Sequence, residues 1–301
     1  MIRPILRYIL LVLVASVALS IAPPSRGAPA RALWVWRSAP IRESAASQSQ
    51  FFDFLAAPHG DKSKAITVVF FDGVRQADFA NAETVASLRR FLKEAHKRKL
   101  RVDFLTGDPS WALDSSQAIG LAYTQAVIDF NRGGDRSERY DGIQYDVEPY
   151  ALPEWRTQRE TLEAGLLGLL DKSRALIKAS GQKLLLTAAL PRWYGAQDGR
   201  VAYKDVVDRL DEIDVMDYVT TSAHLTNDPA GMLKYASATH KKVWIGVETG
   251  ELKETPRSTF FDLGEAAMES VFAQSLAVFE NEPSFAGYAV HHWAGYTGMK
   301  P

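Results

Sequence analysis

Eight short apolar runs recur about 25–45 residues apart, each followed by a helical pattern, and few folds accommodate that rhythm in 301 residues. The runs cover residues 32–37, 66–71, 101–105, 142–147, 183–189, 212–218, 242–247 and 287–292, and they are rich in Val, Ile, Leu and aromatic side chains. Apolar runs of this length, bounded by turn residues, are the pattern of strands covered on both faces. Between them, Thr84 can cap a helix over 85–99, Ser115 or Ser116 can open one reaching Asn131, and 157–180 is a long amphipathic stretch closed by Gly181. Further helical patterns occupy 203–210, 230–237 and 263–281. Strand then helix, eight times over, predicts the α/β class and a single (β/α)8 TIM barrel spanning residues 31–301. The competitor, a doubly wound sheet, usually has fewer strands and a glycine-rich first turn, which this chain lacks. The polar stretches 39–63 and 132–139 are expected to be loops of the one domain.

The first 30 residues read differently. Arg3 and Arg7 precede an apolar run of about 15 residues, and Ala28-Pro29-Ala30 supplies a small-x-small site. That is the pattern of a secretory signal peptide, too short for a bilayer span, and it predicts a secreted or periplasmic protein of residues 31–301. Without the three arginines of that segment, 32 basic residues face 36 acidic ones. No basic cluster is interleaved with aromatics, so no nucleic-acid partner is expected. No stable membrane insertion is expected once the signal is removed, and a monomer is expected. Cysteine is absent, which excludes thiolate chemistry and cysteine–zinc sites.

Barrel enzymes carry their chemistry where the strands end. Here those ends bring Trp36, Asp108 with Trp111, Arg192 with Trp193, Asp217 with Tyr218, Glu248, His291 and Trp293 to one rim. Aromatic faces stack on sugar rings and carboxylates bind hydroxyls or move protons, so a carbohydrate polymer is the expected partner. The fourth run, Asp141-Gly142-Ile143-Gln144-Tyr145-Asp146-Val147-Glu148-Pro149-Tyr150, is the most pointed. Alternation along a strand puts Gln144, Asp146 and Glu148 on one face. Two carboxylates in an apolar segment are costly to bury unless paired, and such pairing separates their pKa values, as acid/base chemistry needs. A structural pair that ties down a loop is the plainer alternative. No metal is expected: His291 and His292 are adjacent and face opposite sides, and the other histidines show no ligand spacing.

The 141–148 stretch resembles the strand-4 signature D-G-x-D-x-D-x-E of family 18 glycoside hydrolases, the chitinase and endo-N-acetylglucosaminidase family. Met216-Asp217-Tyr218 resembles that family's strand-6 Met-x-Tyr, and Ala188-Ala189-Leu190-Pro191 its strand-5 end. Trp293 falls where a strand-8 Trp floors the sugar site. The resemblance implies a glycoside hydrolase without cofactor. It casts Glu148 as the general acid, Asp146 as the residue that orients the substrate's 2-acetamido group, and Tyr218 as a donor to that group's carbonyl. The substrate then supplies the nucleophile. The signature is degenerate, because Gln144 stands where the family has its middle Asp. A Gln can donate to Asp146 but cannot take up its charge, so Asp146 is expected to stay ionised.

A second reading starts from Glu148-Pro149 and Glu248. In the clan A retaining glycosidases an acid/base Glu ends strand 4 and a nucleophilic Glu ends strand 7, the two lying ~5–5.5 Å apart. Glu248 sits 100 residues after Glu148 and ends the seventh run. A carbohydrate-binding barrel without turnover is the rival from another class. Substrate contacts are expected from Gln144, Trp293, Glu248, Asp217, Trp193, Arg192, Asp108, Trp111, His291 and Trp36.

Overall fold

The structure, a computed structural model, describes residues 28–72, 74–195 and 203–300. Residues 1–27 of the expected signal segment lie outside that range. The first strand begins at Ala30, the last residue of the expected signal segment.

Eight parallel strands close on one another in sequence order. They are β1 (Ala30–Val35), β2 (Val68–Phe71), β3 (Arg101–Thr106), β4 (Gly142–Tyr145), β5 (Leu185–Pro191), β6 (Glu212–Met216), β7 (Lys242–Glu248) and β8 (Phe285–His291). All eight apolar runs hold a strand, with ends shifted by a few residues. Closure of β8 on β1 pairs Ala30 with Gly287 and Leu33 with Val290, so no edge is left to solvent.

The helices α1 (Ala39–Glu43), α2 (Ala45–Ala56), α3 (Ala82–Lys97), α4 (Gln117–Arg132), α5 (Trp155–Ser180), α6 (Tyr203–Asp208), α7 (Ser222–Asn227), α8 (Ala230–Ala238), α9 (Glu265–Phe279) and α10 (Trp293–Gly298) cover the barrel. In α3, Leu88, Phe91, Leu92 and Ala95 are buried, the i, i+3, i+4, i+7 stripe of a helix laid on a sheet. Asn81, not Thr84, caps it: its side-chain oxygen accepts the Thr84 amide at 2.9 Å, and the helix starts three residues earlier than expected. The stretch 39–63 is not a loop. It holds α1 and α2, and α2 buries Phe51, Phe52 and Leu55. The run Ser47-Gln48-Ser49-Gln50 hides the stripe, which begins only at Phe51.

Inside the barrel, Ala32, Trp34, Val68, Phe70, Leu105, Trp244 and Ala289 form their own apolar cluster. Toward the strand starts the interior turns polar. Arg101 Nη2 lies 2.8 Å from both Asp103 Oδ2 and Glu212 Oε2, and Trp244 Nε1 donates to Glu212 at 2.9 Å. The rim singled out in the sequence lies at the opposite end, where the strands finish.

Candidate active site

A cleft of about 370 Å³ opens at the strand ends between β4 and β8. Asp146, Glu148, Tyr150, Arg192, Trp193, Met216, Tyr218 and His291 line it, with Leu252, Thr255 and Ser258 from the segment after β7. Asp146 and Glu148 lie just beyond β4, which ends at Tyr145. The Asp146 amide continues the ladder, donating to Thr106 O at 2.9 Å. The approach is so close that a Cβ on Gly107 would sit 2.0 Å from the Asp146 carbonyl oxygen, so only glycine fits there.

The two carboxyls touch. Burial first, and then the Glu148 charge and a hydrogen bond to it, push Asp146 up to about 8. Asp146 is thereby favoured in its protonated form at neutral pH, against the expectation that it stays ionised. The reason lies in Gln144. Its side chain points into the barrel and accepts from Thr187 Oγ1. Its amide turns toward Asp214, not Asp146. That contact is looser than a hydrogen bond, since neither Gln144 Nε2 nor either Asp214 oxygen has a partner. Burial and the Glu212 charge hold Asp214 well above the usual carboxylate range. Glu148 also faces the Tyr150 phenol, which burial and then the Glu148 charge and hydrogen bond keep protonated as a donor. Tyr218 is likewise held protonated, by burial and by Glu248, Asp146 and Glu148 around it.

Glu248 ends β7 with both oxygens engaged. Oε1 accepts the Thr249 amide at 2.8 Å and the Gly250 amide at 2.6 Å, and Oε2 lies 2.7 Å from His291 Nδ1. The side chain is buried, and it does not line the cleft. His291 Nε2 in turn accepts Trp36 Nε1–H at 2.8 Å, and its ring stacks on Tyr218 at 5.6 Å between centroids.

Of the residues singled out in the sequence, Asp146, Glu148, Tyr218, Arg192, Trp193 and His291 share this cleft. Trp36, Asp108 and Trp111 line a neighbouring cleft of about 540 Å³ above β1–β3, although Trp111 is largely buried against Tyr123 and Tyr145. Gln144, Asp217, Glu248 and Trp293 line neither. Gln144 sits one layer too deep. Asp217 is fully buried between Met216 and Tyr218, which take the cleft-facing parity and send it the other way. Burial, and then Asp228, push its carboxyl up to about 8. Trp293 lies beyond β8, opens α10 and packs edge-on against Phe51 and Phe54 at 4.9 and 5.0 Å, so His291 is the ring at the cleft. Tyr150 was not singled out, yet it stands two residues after Glu148 and continues the same alternation. The segment holding Leu252, Thr255 and Ser258 carries no motif that would have marked it.

Arg192 is exposed and paired with Asp228. Trp193 is 38% exposed and meets Tyr150 edge-on at 5.2 Å, a rigid aromatic wall beside Glu148. Among the described residues no group of three His, Cys, Asp or Glu side chains is arranged to hold a metal ion. None of their helices is long and apolar enough to cross a membrane.

No family model and no curated protein matches the chain. Solved structures share its barrel. A chitinase from Chromobacterium violaceum superposes with a TM-score of 0.55 at 12% identity, over 91% of this chain and 96% of that one. A chitinase from Bacteroides thetaiotaomicron gives 0.55 at 15% identity, over 88% and 89%. The spore cortex-lytic enzyme of Bacillus megaterium gives 0.53 at 12%, over 92% and 72%. At such identities the likeness establishes the fold.

Proposed function

We propose that this protein is a glycoside hydrolase that cleaves a polymer containing N-acetylhexosamine, with the substrate's own acetamido group as nucleophile. The observation that carries the reading is the Asp146–Glu148 pair, two interacting carboxyls that line one aromatic-walled cleft. In the resting site the proton lies on Asp146 and Glu148 accepts it. An acetamido N–H arriving at Asp146 requires an acceptor there, so the proton passes to Glu148. Glu148 then has what a general acid needs, and it delivers the proton to the glycosidic oxygen as the C–O bond breaks. Asp146, now ionised, orients the acetamido group, and the Tyr218 hydroxyl donates to the carbonyl whose oxygen attacks the anomeric carbon. Water opens the resulting ring, returning a proton to Glu148. Trp193 and Tyr150 supply faces on which flanking sugars stack.

The printed names of the barrel's structural neighbours, two chitinases and a cortex-lytic enzyme, support the same substrate class. The signal-like segment of residues 1–30 supports an extracytoplasmic substrate such as a cell-envelope polysaccharide. The two-carboxylate alternative requires Glu248 to attack, and three N–H groups already occupy its oxygens.

The test is hydrolysis of N-acetylglucosamine oligomers by purified wild type and Glu148→Gln, with the product anomer followed by NMR. Retention of configuration, and loss of roughly 10²–10⁴-fold in kcat on removing the acid, are expected. Binding of oligomers without turnover in the wild type would leave a carbohydrate-binding barrel in its place.

A further inference from the structure

Three hydrogen-bonding groups behind the cleft are absent from the chemistry just described. Trp36 follows β1, Glu248 ends β7 and His291 ends β8, so the three cross the seam where the barrel closes. The indole N–H of Trp36 can only donate, so His291 Nε2, 2.8 Å away, must present its lone pair. The proton of the neutral imidazole is then on Nδ1, aimed at Glu248 Oε2 at 2.7 Å. The other Glu248 oxygen receives the amides of Thr249 and Gly250. Every donor on this line meets an acceptor in one arrangement only. The ring is held on its face by Tyr218 and on its edge by Trp34, at 5.6 and 5.8 Å between centroids. His291 lines the cleft that holds Asp146 and Glu148, and Trp36 lines the neighbouring one.

We propose that Glu248, His291 and Trp36 form a positioning triad that locks the imidazole at the cleft in its Nδ1–H form, so that Glu248 acts on the site through that ring and not as a reacting carboxylate. The role assigned to the ring rests on the reading of the cleft as a sugar site. With the ring fixed, Tyr218 has a flat support that holds its hydroxyl toward the pair formed by Asp146 and Glu148. The bond from Trp36 to His291 also ties the wall of one cleft to that of the other.

The polarity of the line makes the proposal testable. Glu248→Gln keeps the shape but replaces one acceptor with a donor. If the new NH2 faces the backbone, it meets the amides of Thr249 and Gly250. If it faces His291, the imidazole proton must move to Nε2, where it meets the Trp36 N–H. Either way two donors collide. Trp36→Phe removes the last donor, so in the double variant the proton can sit on Nε2 unopposed. On an N-acetylglucosamine oligomer, Glu248→Gln is expected to lose about tenfold in kcat with little change in KM, and Trp36→Phe less than threefold. The double variant is expected to return to within about threefold of Trp36→Phe. Nitrogen-15 NMR of histidine-labelled protein, with His291 assigned through its own variant, should show Nδ1–H in the wild type and Nε2–H in the double variant. A wild-type proton on Nε2, or a double variant at or below the product of the single ones, overturns the triad. A merely structural role predicts the second of these, because two core lesions do not repair each other. If the wild type shows no turnover, the hydrolase reading fails on that result, and the tautomers of the wild type and double variant still decide the triad.

Discussion

At the residue scale the proposed chemistry turns on the carboxyls of Asp146 and Glu148, which line one cleft and perturb each other. Asp146 is raised because burial and a touching carboxylate both disfavour its charge. A site that needs this proton should lose kcat/KM as pH rises through about 8, the value to which Asp146 is pushed. Asp146→Asn removes the group pushed to about 8, so the alkaline limb near that pH should vanish, with a large fall in rate. A limb that survives unchanged in the pH–rate profile of Asp146→Asn would detach it from this residue. The carboxylates and Tyr218 were legible because their spacing is local. Gln144 was placed on the right face, but its partner was not legible: Thr187 and Asp214 come from β5 and β6, more than 40 residues away.

At the scale of elements, strand ends decided most of what sequence reading missed. Alternation along a strand predicts which residues share a face, but it stops being a guide where the strand stops. β6 ends at Met216 and β8 at His291, so Asp217 turns away from the cleft while Trp293 leaves for a helix. The close packing of β3 against the turn after β4 makes a sharper prediction. Gly107→Ala would drive a methyl group into the Asp146 carbonyl, so the backbone beneath Asp146 must shift. Activity is expected to fall at least tenfold and stability by about 1–3 kcal/mol, as for other overpacked positions, read from turnover and urea unfolding. The crossover from β1 to β2 was misread because α2 opens with polar residues. Its Phe51, Phe52 and Leu55 acquire meaning only once α3 and the barrel wall stand opposite them.

At the scale of the molecule, three buried acids hold protons that are part of its stability. Asp103 is pushed up to about 6 and Asp146 and Asp217 to about 8, chiefly by burial. Each folded-state value lies above the unfolded one, near 3.9. Their contribution to stability is therefore fully present below about pH 4 and is lost as pH rises through about 6 to 8. The melting temperature should fall between pH 5 and pH 9, and Asp217→Asn should flatten that fall. At neutral pH the same variant, which removes a carboxyl that must take up a proton on folding, should be more stable in denaturant unfolding. A flat melting profile for the wild type would contradict this coupling. What the sequence determined alone is the architecture and the identity of the two touching carboxyls, because both rest on short-range periodicity: eight apolar runs, and Asp146 and Glu148 two residues apart. What only the tertiary structure decided is which rim residues meet. Whether Glu248 is free or held, whether Trp293 or His291 reaches the cleft, and where Gln144 points all depend on contacts between strands that are neighbours only once the barrel closes.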